Sequence, residues 1–396
     1  MKNFIFISPN FPETYWRFCR ELRNNGMRVL GIGDCPYENL MPELQNSLDE
    51  YYKVGSLENY DEVFKAVAFF SYKYGKIDWL ESNNEYWLMQ DARLRTEFNI
   101  TTGPKTADMA KIKLKSAMKG YYAKAGLPTA RYHLVDGLED ALEFAHYVGY
   151  PVVVKPDNGV GANHTYKLCC DDDVHWFIEN RDDDVYIMEE YVNGYVQTYD
   201  AIVDSHGNPL FESGNITPLS LMDIVNEGGD SVYYLVKDLP DRIRDAGLRT
   251  AKAFEVKSRF IHLEFFILND DQEGLGKKGD IIGLEVNMRP AGGYTPEMYN
   301  YSQETDVYKI WADMVVFDTN TKPIGAHHYC AFYGRRDGRR YKLDDYAITA
   351  KYHSCMKMRG RIPDALSGAM ANQMYVCNFD TQEEMDQFYR DMSAVY

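Results

Sequence analysis

The chain has 396 residues, of which 45% are apolar and 26% charged, with a formal net charge of −17. That length exceeds one ordinary core and implies two to four subdomains, while the acidic balance argues against a nucleic-acid partner, whose phosphates need clustered Lys and Arg. No apolar run approaches the roughly 20 residues that span a bilayer, and "FIFI" at 4 to 7 is too short for a signal-peptide core, so a soluble cytoplasmic protein with no membrane partner is expected.

In chain order, "NFIFIS" (3 to 8) reads as a short buried strand. Tyr15, Phe18, Cys19 and Leu22 then follow at helical spacing, and Gly26 stops the helix. "RVLGIG" (28 to 33) predicts a second strand, Val63, Val67 and Phe70 a second helix, and "KIDWLES" (76 to 82) a further strand. This βαβα alternation implies a parallel sheet with ligand contacts at its strand ends, where Ser8, Pro9, Asn10, Asn83, Asn84 and Glu85 fall. "NITTGPKT" (99 to 106) marks a boundary. Beyond it, a helical stripe of Leu114, Met118, Tyr121, Tyr122 and Ala125 precedes strands at 150 to 156, 186 to 192, 258 to 268 and 280 to 288. The last seventy or so residues read as a small α+β unit closed by "TQEEMDQFYRDM". The seven cysteines form no metal-spaced pair, which fits reduced thiols.

Four segments carry residue types suited to chemistry. Lys111, Lys115 and Lys119 recur every four residues along the stripe, either as a solvated basic face or as an anion site. In "VVVKPDNGVGA" (152 to 162), Lys155 ends a β-branched strand, and Gly159 and Gly161 let backbone N–H groups approach a phosphate, although a hairpin turn with an exposed lysine has the same pattern. "YIMEEYVNG" (186 to 194) turns polar at Glu189 and Glu190 before Tyr191 and Val192; such a strand end accepts a purine through its backbone, and an edge strand with exposed glutamates looks alike. Finally, "IIGLEVNMRPAGG" (281 to 293) puts Glu285, Asn287 and Arg289 on one strand face, and "IHLEFF" supplies Glu264 from another apolar strand. Glu264, Glu285 and Asn287 suit Mg²⁺, which takes one or two carboxylates plus substrate phosphates. Two glutamates against one arginine leave negative charge that is costly to bury without a cation, which favours a metal over a plain salt bridge. Arg289 is placed to hold a reacting oxyanion, and the N–H groups of Gly292 and Gly293 to receive a substrate carboxylate.

Taken in this order, the segments resemble the ATP-grasp superfamily over about residues 100 to 318. The resemblance implies an N-terminal βαβ parallel-sheet domain (1–104), a two-lobed ATP-grasp fold (105–192 and 193–325) and a small C-terminal α+β unit (326–396). By position, Lys115 and Lys155 match phosphate-binding lysines; Glu189, Glu190, Tyr191 and Val192 the adenine hinge; Glu264, Glu285 and Asn287 the magnesium ligands; and Arg289 the arginine at the reacting group. Two positions depart from the pattern: Val196 and Gln197 stand where many members carry a ribose-binding glutamate, and the glycine loop contains His164 in place of small serine-containing sequence.

The implied activity is an ADP-forming C–N ligase that uses ATP and Mg²⁺ or Mn²⁺, with two ions, to join a small carboxylate and an amine through an acyl phosphate, in a chain that is a candidate homodimer. Glu227, within "NEGGDSVYY" (226 to 234), is a further substrate-pocket candidate. Alternatives are a carboxyphosphate enzyme of the carbamoyl-phosphate synthetase or biotin-carboxylase type, and a non-catalytic nucleotide-binding regulator. Lys357 in "CMKMRG" superficially matches a biotin-carrier lysine, but the surrounding sequence lacks the paired strands of such a carrier.

Overall fold

The computed structural model describes residues 1–159, 164–218 and 229–396. Near the N-terminus, Asn3–Ile7 lies between Arg28–Gly33 and Trp79–Glu81, with Glu50–Lys53 outside Arg28–Gly33, all parallel. Every residue of Asn3–Ile7 is buried because both faces are covered, as a parallel sheet requires. Phe4 and Phe6 pack with Phe18 and Trp311 on one face, and Ile5 and Ile7 with Val63, Val67 and Phe70 on the other. The period-2 strand and the period-3.6 helices read from the sequence thus build two cores, one on each face of the sheet.

The next unit is an antiparallel sheet in the order Tyr132–Leu134, Tyr186–Glu190, Val152–Pro156, Tyr166–Leu168. Helices Leu138–Val148 and Asp171–Asn180 pack on it through Ala141, Ala145, Val174 and Phe177.

A larger antiparallel sheet runs from Ile281–Asn287 at one edge through Arg259–Leu268, Gly194–Val203, Asn215–Thr217 and Ser231–Leu235. The C-terminal strands Tyr329–Arg335, Gln373–Phe379 and Met356–Arg361 continue this sheet beyond Ser231–Leu235. Helix Gln382–Ser393 covers them with Met385, Phe388 and Met392.

Two local features aim the helix that carries Lys115. The helical stripe predicted across 114 to 125 forms helix Lys115–Lys124, but the lysine run from Lys111 is broken at Leu114, whose backbone is extended (φ −87°, ψ 116°) and separates Met109–Lys113 from it. Asp157, just past the strand bearing Lys155, caps the second helix: its carboxylate accepts from Ser116 N and Ser116 Oγ at 2.7 Å each, and its carbonyl from Lys115 N at 3.0 Å. Further along, the Tyr122 ring lies over Gly283 of the edge strand, where any side chain would collide with it. That close approach seats the helix on the strand carrying Glu285.

Candidate functional site

Glu264 and Glu285 are directly opposite partners across the antiparallel pair Arg259–Leu268 and Ile281–Asn287, and His262 opposes Asn287. The two carboxylates therefore share one sheet face. Glu264 Oε1 accepts from His262 Nε2 at 3.1 Å and from Asn287 Nδ2 at 3.3 Å. His262 Nδ1 faces Asp200 Oδ1 at 2.5 Å, and Asp200 also accepts from Thr198 Oγ1 at 2.6 Å. Burial opposes ionisation of His262, but carboxylates on both ring nitrogens carry it up to about 9. Burial also works against the Glu264 carboxylate, but the hydrogen bond and charge of His262, with Arg289 and Lys155, together outweigh it, so this carboxyl lies below its ordinary value. At Glu285 burial prevails: the carboxyl is raised, with Glu264 adding to the shift and Lys115 opposing it.

Lys115 and Lys155 converge on this face, with Lys119 beside Lys155. Lys115 Nζ lies 3.5 Å from Glu285 Oε1 and donates to the Gly159 carbonyl at 3.2 Å. Lys155 Nζ lies 2.6 Å from Glu189 Oε2, and Lys119 pairs with the other oxygen of the same carboxylate. The solvated basic face read as one alternative for Lys111, Lys115 and Lys119 is corrected here: Lys115 and Lys119 are each 6% exposed. Lys111, on the far side of the break at Leu114, pairs instead with Glu255 at 3.2 Å. Burial lowers Lys119, whereas Glu189 outweighs the burial of Lys155 and raises it.

Arg289 is fixed by the N-terminal sheet domain. Its Nε donates to Glu85 Oε2 at 3.2 Å and its Nη2 to Asn287 Oδ1 at 3.3 Å, while Glu85 also pairs with Lys113. Burial disfavours the Glu85 carboxylate, but Arg289 and Lys113 together hold it below its ordinary value.

Glu189 and Glu190 point apart, as adjacent strand residues must. Glu189 meets the lysines, whereas both Glu190 oxygens go to Arg131, through its N–H at 2.7 Å and its guanidinium at 2.9 and 2.6 Å. Beyond them, the Tyr191 carbonyl accepts from Gln272 Nε2 at 2.8 Å. Val192 packs with Ala130, Leu268 and Ile282.

Sequence reasoning named Lys115, Lys155, Glu264, Glu285, Asn287 and Arg289, and the structure brings them together. Gly161 and Glu227 lie outside the described residues. Gly293 has φ +61°, in the left-handed region that favours glycine, and the Gly292 carbonyl accepts from Thr295 Oγ1 at 2.8 Å. The sequence reading missed Asp157, Arg131, Asp200 and His262, and it named Lys119 without its partner Glu189. His262 had a usable signal, being two positions before Glu264 and so on the same strand face. Arg289 is not the only cation beside the two glutamates: Lys115 faces Glu285, and His262 is shared between Glu264 and Asp200. The fit to Mg²⁺ rests instead on donor chemistry, namely hard carboxylate oxygens from Glu264 and Glu285 beside the Asn287 amide oxygen. Among the described residues no group of three or more His, Cys, Asp or Glu side chains forms a self-sufficient metal cage.

No family model matches the chain. Over 175 residues it is 26% identical to the carbamoyl phosphate synthase large chain of Lachnoclostridium phytofermentans, spanning 42% of this chain and 15% of that protein. Over 168 residues it is 26% identical to the L-arginine-specific L-amino acid ligase of Bacillus subtilis, spanning 42% of this chain and 40% of that one. The matched stretch thus covers less than half the length of either relative. Among solved structures, the L-amino acid ligase of Bacillus licheniformis superposes with a TM-score of 0.71 at 16% identity, covering 99% of this chain and 97% of that one. The biotin carboxylase domain dimer of Hydrogenobacter thermophilus 2-oxoglutarate carboxylase, solved with MgADP, ADP and bicarbonate, gives 0.68 at 15% identity, covering 100% and 90%. Both solved structures are ATP-grasp enzymes.

Proposed function

We propose that this chain, whose fold is that of the ATP-grasp enzymes, is an ATP- and Mg²⁺-dependent carboxylate-amine ligase acting through an acyl phosphate. The observation that carries this reading is the meeting, on one face, of the cross-strand carboxylates Glu264 and Glu285 with Lys115 and Lys155. In the first step a carboxylate oxygen attacks the γ-phosphorus and ADP leaves; in the second an amine nitrogen attacks the acyl carbon, phosphate leaves and the amine loses a proton. The barrier to the first step is an anion approaching a polyanion, so catalysis is positioning and charge neutralisation.

Lys115 and Lys155 meet that need from helix and strand, and their connection through Asp157 keeps them in register. Glu264, Glu285 and Asn287 would hold two Mg²⁺ with the nucleotide, and the bound metal would withdraw charge from the β- and γ-phosphates. Arg289, oriented by Glu85 and Asn287, stabilises the reacting oxyanion. The backbone of Glu190 to Val192 would hold adenine, with Val192 as part of its apolar wall, and Glu189 serves as counter-ion to Lys119 and Lys155.

A cavity of about 320 Å³ adjoins Gly293 and Tyr294 at the ends of the N-terminal strands, lined also by Asn10, Leu40, Met41 and Leu44. Its partly apolar wall suits an organic co-substrate. The test incubates the protein with ATP, Mg²⁺ and pools of amino acids and small carboxylates, then measures ADP and identifies the coupled product by mass. An amide product with equimolar ADP supports the reading, and ADP release that depends on bicarbonate alone opposes it.

A further inference from the structure

A second cavity, of about 340 Å³, contains none of the residues assigned above. Helices Trp16–Asn24 and Thr295–Ser302 contribute to it, as do strands Met356–Arg361 and Gln373–Phe379, and its lining includes Arg17, Glu297, Glu304, Asp306, Lys357 and Asn378.

Three of these side chains bring buried polar atoms that lack a hydrogen-bond partner: Arg17 Nε, Glu297 Oε2 and Asn378 Oδ1. Glu297 is 2% exposed and Asn378 9%. An unmet buried polar atom costs about 1–3 kcal/mol, so three around one cavity call for an occupant. The rest of each group is already engaged, which fixes its orientation. Glu297 Oε1 accepts from the Tyr308 hydroxyl, and the Thr14 hydroxyl and the Arg17 charge also act on this carboxylate; Asn378 Nδ2 donates to the Tyr301 carbonyl at 2.7 Å. The Arg17 guanidinium is held over the Trp16 and Tyr308 rings, 5.3 and 5.9 Å from their centroids. Among the described residues, neither Arg17 nor Lys357 forms an ion pair or hydrogen bond.

The other two acids are committed. Asp306 caps helix Val307–Phe317 through the N–H groups of Tyr308 and Lys309, and Glu304 lies 3.5 Å from His328. The cavity therefore offers two cations together with two fixed acceptor oxygens. A simple anion would leave the acceptors unmet, and a simple amine would leave the cations unmet. We propose that this cavity binds a free α-amino acid, with its carboxylate against Arg17 and Lys357 and its ammonium group against Glu297 Oε2 and Asn378 Oδ1. The occupant would tie the N-terminal helix to Thr295–Ser302, the helix that follows Arg289.

The test is isothermal titration of the full chain, without nucleotide, with each common amino acid, acetate and inorganic phosphate. At least one amino acid is expected to bind at least tenfold more tightly than acetate or phosphate. Lys357→Met should weaken that binding at least tenfold, Lys357→Arg should retain it, and Arg289→Met should leave it unchanged; Lys357 is exposed, so its two replacements spare the fold. Absence of amino-acid binding, or phosphate or acetate binding as tightly, overturns the proposal. So does binding that is lost in Arg289→Met but kept in Lys357→Met, a result that places the amino acid in the ligase cleft and leaves the ligase reading intact.

Discussion

Glu189→Gln removes the only side chain that contacts both Lys119 and Lys155 among the described residues. Burial disfavours the Glu189 carboxylate, but the two lysines outweigh it and hold the carboxyl at about 2, against an ordinary 4.5. Because the folded-state value is depressed, the associated stability is fully present above about pH 4.5 and is lost as the pH falls towards 2. The linkage is on the order of 3 kcal/mol in full and about 2 kcal/mol by pH 3, at roughly 1.4 kcal/mol per pH unit. Urea unfolding of nucleotide-free wild type and Glu189→Gln, from pH 7 down to pH 3, measures it. The wild type should lose about 2 kcal/mol more than the variant across that range, while the variant should already be weaker at pH 7 because two buried lysines lose their counter-ion. Equal losses in the two proteins would refute the ion-pair account of Glu189.

Asp157→Ala should cost about 1–2 kcal/mol as a lost helix cap and raise the KM for ATP more than it lowers kcat, since Lys115 loses its tether to the Lys155 strand; urea unfolding and steady-state kinetics check both. Gly283→Val should displace Tyr122 and lift the helix off the edge strand, weakening nucleotide binding in a titration with a nonhydrolysable analogue while leaving Glu264, Glu285 and Asn287 chemically unchanged. At about 100 times its Kd, such an analogue should stabilise the wild type by about 2.7 kcal/mol, and Lys155→Met should reduce that gain at the same ligand concentration.

The site strands were legible because β-branched runs and alternation are local signals. Glu285, Asn287 and Arg289 share a face for the same reason that the sequence showed them two apart. The lysine stripe was less legible, since the break at Leu114 coincides with a cap from Asp157, 41 residues from Ser116. Charge pattern alone could not show that Lys119 would be buried beneath Glu189. In "MEEYV" the two glutamates read as one polar hinge, although neighbouring strand positions face opposite ways, and the structure separates them towards Lys155 and Arg131. The C-terminal strands read as a separate small unit because their partner in the large sheet, Ser231–Leu235, lies about a hundred residues upstream of Tyr329. The His262–Asp200 pair joins positions 62 apart, which no local pattern encodes.

The central claim is that Glu264, Glu285 and Arg289 act on a metal-bound triphosphate. Its most direct test is ADP release with ATP, Mg²⁺ and the acid and amine that the pooled screen identifies, compared among wild type, Glu285→Gln and Arg289→Met. Each variant should lose on the order of 10²-fold or more in turnover, the scale of removing a preorganised electrostatic donor, while remaining folded. Turnover near wild type in both variants would contradict the claim.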